Sequence, residues 1–125
     1  MAANKIVRFG PVALTTTTTT NILNPGTTTG GVGMPANSGN TYFVLRHVRI
    51  TNITSTAATF TMCVGATGAT ASSSNSFMGF GTSVAANSYI DWYGMLRLDA
   101  ADFLVGGAGT ATALTFEAEG EIGVN

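Results

Sequence analysis

Over two stretches, Phe9 to Leu45 and Ile50 to Ile90, the chain carries no charged residue, and these 37 and 41 positions make up 78 of its 125 residues. A soluble domain carries roughly a quarter charged residues, and this one has 9%. Its surface must therefore be built from Thr, Ser, Asn, Ala and Gly. Threonine is the commonest residue, 21 in all, and branching at Cβ restricts χ1 against a helical turn, so the backbone is biased towards extended structure. No window shows a 3.6-residue apolar stripe with caps. A surface of this kind forms hydrogen bonds but does not repel its own kind, which suits copies packed at high density.

Four segments alternate with period two. In Tyr42 to Asn52 the pattern puts Tyr42, Val44, Val48 and Ile50 on one face, and in Thr59 to Val64 it puts Phe60, Met62 and Val64 opposite Thr59, Thr61 and Cys63. In Tyr89 to Leu98, Ile90, Trp92, Leu96 and Leu98 oppose Tyr89, Asp91, Tyr93 and Arg97. Thr112 to Ile122 sets Leu114, Phe116, Ala118 and Ile122 against Thr115, Glu117, Glu119 and Glu121, one dry face and one wet, with acids that would blunt pairing at a sheet edge. Turn clusters separate the runs: 54–56, 65–75, 85–88, 99–102 and 106–109. The expected fold is all-β, an antiparallel sandwich or jelly-roll-like arrangement over residues 41–125.

The first forty residues differ in kind. Ile6 to Leu14 suits a strand, but six consecutive threonines from Thr15 and the Gly-rich run from Asn24 to Asn40 offer few apolar anchors. Residues 1–40 are expected to form an extended arm ordered by contact with a neighbouring subunit or partner, the alternative being a surface loop or partly disordered linker. Its candidate contact residues are Ile6, Val7, Phe9, Thr15, Thr17 and Ile22. In the sandwich, Phe77, Phe80 and Tyr93 are candidate contact anchors, since aromatics give large area at small entropic cost, while Trp92 is assigned to the core.

Chemistry is sparsely provided. The only histidine is His47 and the only cysteine Cys63, so any Ser/His/Asp or Cys/His set would need His47 as its base. His47 lies between Arg46 and Arg49 in sequence and reads as a solvent-facing strand residue or a subunit contact. One histidine does not supply the usual metal site of cupin-type sandwiches. Asp99 and Asp102 read as a turn, and Glu117, Glu119 and Glu121 as a solvated face. Gly31 to Ala36 matches G-x-G-x-x-A, but no helix pattern follows to receive a phosphate. Asn52-Ile53-Thr54 is a glycosylation sequon, given little weight because Met1 to Gly10, with no long apolar run after Lys5 and Arg8, do not read as a signal peptide. No catalytic, cofactor-binding or metal-binding residue is assigned.

A net charge of −1 and a pI near 5.6 give no cationic surface for phosphates, so nucleic acid and anionic membrane are not expected as partners. The uncharged spans are broken every few residues by Thr, Asn, Gly and Pro, which excludes a transmembrane helix.

Taken together, Phe43 to Thr54, Ala58 to Gly65, Asn87 to Gly94 and Leu96 to Leu104 resemble small β-sandwich virion proteins of tailed bacteriophages, most closely head decoration or cement proteins. The resemblance is a pattern of strands and corners over Tyr42 to Ile122, with Leu98, Asp102 and Leu104 at the last corner. It implies a protein on the outer surface of the phage head, made in the host cytoplasm, commonly a homotrimer that bridges major capsid proteins and makes or breaks no bond. A tail or neck component, or a carbohydrate or host-surface binding module, is the alternative.

Overall fold

The computed structural model describes residues 5–26, 31–32 and 41–124. Among these, nine strands follow in chain order: β1 (Lys5–Ala13), β2 (Asn21–Leu23), β3 (Gly31–Val32), β4 (Thr41–Asn52), β5 (Ala58–Gly65), β6 (Ser76–Val84), β7 (Ser88–Leu98), β8 (Phe103–Ala108) and β9 (Leu114–Val124). They form a β-sandwich of two sheets, one ordered β3-β1-β9-β4-β7 and the other β2-β8-β5-β6. Every pairing is antiparallel. The pairs nest: β5 with β6, β4 with β7, β2 with β8 and β1 with β9, while β1 with β3, β4 with β9 and β5 with β8 complete the sheets. Phe9, Phe43, Leu45, Ile50 and Phe116 from the first sheet meet Phe60, Met62 and Leu104 from the second in one core. At the open side between β6 and β7, Phe77 meets the Trp92 ring edge-on at 4.9 Å, and both pack against that core.

The alternation expected for β5, β7 and β9 is the alternation found. Cys63 is buried outright, although its parity set it with the threonines. In β4 the expectation fails in its first half. Phe43 and Leu45 are buried along with Val48 and Ile50, while Tyr42 and Val44 are on the other side. The cause is a bulge: Leu45 faces Gly120 and His47 faces Glu119, so Arg46 is an extra residue and parity inverts across it. Gly120 accommodates the kink, because any Cβ there would collide with the Val44 carbonyl. Nor is β9 an edge: it pairs with β1 on one side and β4 on the other.

The N-terminal segment is not an arm in its described part. β1 pairs with β9 and β2 with β8, and Phe9, Leu14, Ile22 and Leu23 are all at most 2% exposed in the common core. Phe9 and Ile22 are therefore core residues rather than partner contacts, because an apolar side chain gains most where both sheets cover it. Residues 1–4, 27–30 and 33–40, with most of the glycine motif and the remainder of the expected arm, lie outside the described residues. The threonine run is a tight turn, not a strand. Thr20 N–H donates to the Thr17 carbonyl (3.2 Å), and the Thr15 and Thr20 hydroxyls are 2.8 Å apart. The carbonyls of Thr15 and Thr20 accept from the N–H groups of Ala108 (2.7 Å) and Gly106 (2.9 Å). Gly107 lies under this turn, where a Cβ would stand 2.6 Å from the Thr15 oxygen.

Two buried asparagines tie loops to the sandwich. Asn52 Nδ2 donates to the carbonyls of Thr56 (2.9 Å) and Val84 (3.1 Å), and its Oδ1 accepts from the N–H (2.9 Å) and hydroxyl (2.6 Å) of Thr54. The sequon is thus closed to glycosylation in the folded chain: its amide is fully buried and fully used. Asn24 Nδ2 donates to the carbonyls of Ala100 and Asp102. The Asp99–Asp102 segment is the expected turn, closed by Asp102 N–H to Asp99 carbonyl (2.9 Å) and Asp99 N–H to Asp102 Oδ2 (2.9 Å).

Candidate functional site

The eleven charged residues are not spread over the molecule. Lys5 and Arg8 belong to β1, Arg46 and Arg49 to β4, Asp91 and Arg97 to β7, and Glu117, Glu119 and Glu121 to β9, all in the five-stranded sheet; Asp99 and Asp102 follow in the turn after β7. The strands β2, β5, β6 and β8 contain none. Because the inner face of the first sheet is apolar, the period-two alternation sends Arg8, Arg49, Asp91, Arg97 and the three glutamates outward.

On that outer face the strand register lays side chains in rows. Arg8, Glu119, His47 and Tyr93 form one row across β1, β9, β4 and β7. Glu117, Arg49 and Asp91 form the next, and Thr115, Thr51 and Tyr89 the one beyond. Read by strand, β9 carries a stripe of carboxylates beside a β4 stripe of Arg46, His47 and Arg49. A shallow open concavity of about 650 Å³ runs over these rows, lined by Arg8, His47, Arg49, Tyr93, Glu117 and Glu119. It continues into a second hollow of about 400 Å³, where Ile6, Arg46 and Glu121 join the lining.

The charges hold one another in place. Arg49 donates from Nε to Asp91 Oδ1 (2.7 Å) and from an η nitrogen to Asp91 Oδ2 (3.0 Å), and its guanidinium lies 4.1 Å from the Tyr89 ring centroid. This two-point bond, with help from His47, holds the Asp91 carboxyl at about 2, below its ordinary 3.8, against the opposing cost of burial. His47 stacks on Tyr93, centroids 4.6 Å apart and planes 14° from parallel. Its Nε2 is 2.8 Å from Asp91 Oδ1 and its Nδ1 3.2 Å from Glu119 Oε1. The charges nearest to His47 are therefore carboxylates from neighbouring strands, not the arginines beside it in sequence. Arg46 reaches Glu121 at 2.8 Å, and Arg97 covers Tyr42 at 4.1 Å while bonding Asp99.

No protein-family model and no curated protein matches this sequence. Its chemistry must be read from the face itself. Both nitrogens of His47 are engaged by carboxylates on opposite sides of the ring, and Cys63 is buried on the other sheet, its thiol pushed up by burial. The two residues a Cys/His pair would need are thus on different layers. Among the described residues no group of three or more His, Cys, Asp or Glu side chains is arranged to hold a metal ion. What the face does offer is all three tyrosines of the chain and four arginines, the residue types most enriched where proteins meet.

Of the candidate contacts in the sequence, the structure brings Ile6 and Tyr93 together at this face, 86% and 71% exposed. Val7 is half-buried against the core, and Phe77 is occupied by Trp92. Phe80 is 66% exposed on β6 of the other sheet, and Thr15 and Thr17 are exposed in the turn over β8. Sequence reasoning missed Arg8, Arg49, Asp91 and Tyr89 as a group. The signal was present in the alternation: each falls opposite the apolar set of its own strand.

Proposed function

We propose that the chain is a non-enzymatic structural protein of a phage particle, a capsid decoration or cement protein that binds the outside of the assembled head and bridges major capsid proteins. The observation that carries this reading is the division of the surface. The four-stranded sheet and the loops at one end of the sandwich, 14–20, 53–57, 85–87 and 109–113, are without charge. A surface of Thr, Ser, Ala and Gly meets another protein with little ion desolvation and little side-chain entropy to lose. Stabilisation then follows from linkage: a ligand that binds the assembled lattice but not its separated subunits raises the free energy of disassembly. The nested strand pairs are those of a long hairpin wound into two sheets, which supports a jelly-roll arrangement, a form common in shell-building proteins.

The test is cosedimentation of the purified chain with heads assembled without it, set against unassembled major capsid protein. Saturable binding to heads alone, with a raised disassembly temperature, is expected. Ser83→Lys, which puts a charge on the neutral face opposite Thr59, should weaken that binding at least tenfold while leaving the fold intact. Equal affinity for free subunits, or none for heads, would overturn the proposal.

A further inference from the structure

The outer face of the five-stranded sheet has the charge pattern of a surface that fits a second copy of itself. Of its four long strands the middle two, β9 and β4, set acidic residues level with basic ones: Glu119 with His47, and Glu117 with Arg49. The strands flanking this pair add Arg8 on β1 and Tyr93 on β7, level with Glu119 and His47. A two-fold axis lying in the interface, parallel to the strands and midway between β9 and β4, keeps every level and exchanges β9 with β4 and β1 with β7. Glu117 then stands over Arg49 of the second copy, Glu119 over its His47, and Arg8 over its Tyr93, a cation–π contact. The other in-plane axis, across the strands, sets β4 on β4 and β9 on β9, cation on cation and acid on acid.

Two further observations agree. Among the described residues Arg8 and Glu117 form no ion pair within the chain, although both line the concavity, so each has a charge to offer a partner. The arrangement also suits sheet geometry, because sheets stacked face to face keep their mean strand directions within about 30° of each other, and an axis along the strands holds the two copies aligned within that range. Four strands about 4.8 Å apart and about eight residues long present roughly 500 Å² per copy. The two copies together reach about 1,000 Å², the lower bound of a specific interface.

We propose that this face is an isologous homodimer interface, closed by Glu117 of each copy on Arg49 of the other. Its occupant is a second copy of this chain, independent of any particle the protein joins. It also differs in number from the trimer that the phage resemblance implies.

Light scattering across a concentration series should give twice the chain mass of 12.7 kDa. The association should weaken at least tenfold from about 0.05 M to about 1 M salt. Glu117→Arg alone sets a new cation over Arg49 of the second copy and should leave a monomer, as should Arg49→Glu alone. Mixed in equal amounts, the two variants should form a heterodimer, since each new charge then faces its opposite. That recovery separates a broken interface from a misfolded chain. A wild-type monomer, a trimer unmoved by either substitution, or variants that stay monomeric on mixing would each overturn the proposal.

Discussion

The two outer faces of the sandwich solve the same problem with different chemistry. The four-stranded sheet satisfies its exterior with neutral hydrogen bonds: the threonine turn covers β8 through backbone carbonyls, and Thr61 Oγ1 accepts from Gly81 N–H at 3.0 Å. The five-stranded sheet covers itself with interlocked charges on tyrosine rings. Neutral contacts of the first kind are short-range and indifferent to salt and pH. Those of the second kind respond to both. A molecule divided this way can hold one surface constant while the other answers to its surroundings.

The sharpest way to break the neutral side is Gly107→Val. A Cβ at this position would lie 2.6 Å from the Thr15 carbonyl oxygen and 2.7 Å from that of Thr17, both backbone, so the turn must lift off β8. Lost with it are the bonds from Ala108 and Gly106 N–H. Urea unfolding should show a loss of about 3 kcal/mol or more. A loss under about 1 kcal/mol would mean that the threonine turn does not lean on this sheet.

Asn52→Ala tests the seam between the halves. Asn52 ends β4 in the charged sheet, and its Nδ2 bonds the Val84 carbonyl at the end of β6 in the neutral one. Removing this buried amide leaves the carbonyls of Thr56 and Val84, and the N–H and hydroxyl of Thr54, each short of a bond. The expected cost is about 2–3 kcal/mol by thermal or urea unfolding. Contacts between the two sheets elsewhere in the core are apolar, so amide exchange at Thr56 and Val84 should quicken before that of β9.

The charged side is best probed by pH. Asp91 titrates at about 2 when folded, because Arg49 binds its ionised form, against 3.8 when free. A carboxylate with a depressed folded value contributes stability that is present above about pH 4 and lost as pH falls towards 2. With exposure of the pair discounted, that contribution is about 1 kcal/mol. Asp91→Asn should therefore lower stability by about that amount at neutral pH and flatten the acid limb between about pH 4 and 2. An unchanged acid limb would show that Asp91 does not anchor the face.

How far these features could be read beforehand follows from their range. Alternation in β5, β7 and β9 is local, one residue predicting the next but one, and it named Phe60, Met62, Leu98, Leu114 and Phe116 as core. The bulge at Arg46 is not local. It depends on Gly120, 74 positions away, leaving room for the kink, and a strict parity count therefore turned Tyr42 and Val44 the wrong way. The expected arm failed for a related reason. Low complexity hid the fact that Phe9, Leu14, Ile22 and Leu23 are spaced to fill both sheets, and the threonines between them form a turn whose partners, Gly106 to Ala108, are supplied by β8. The charged face was legible strand by strand but not as a face, because its rows exist only once β1, β9, β4 and β7 are placed side by side.

The smallest expected effect sets the scale for the rest. Arg46 and Glu121 form a 2.8 Å pair whose side chains are 51% and 29% exposed, and it sits on the bulge where β4 leaves its regular path. Water competes for both groups, so Glu121→Gln should cost under about 0.5 kcal/mol, and a double-mutant cycle with Arg46→Gln should find a coupling of that size or less. Added salt should erase it. A larger coupling would mean that this pair helps to hold the bulge, and the bulge is what turns His47 and Arg49 outward. Charge on this face would then act on the fold as well as on its surface, and the separation between a fixed neutral side and a responsive charged side would no longer stand.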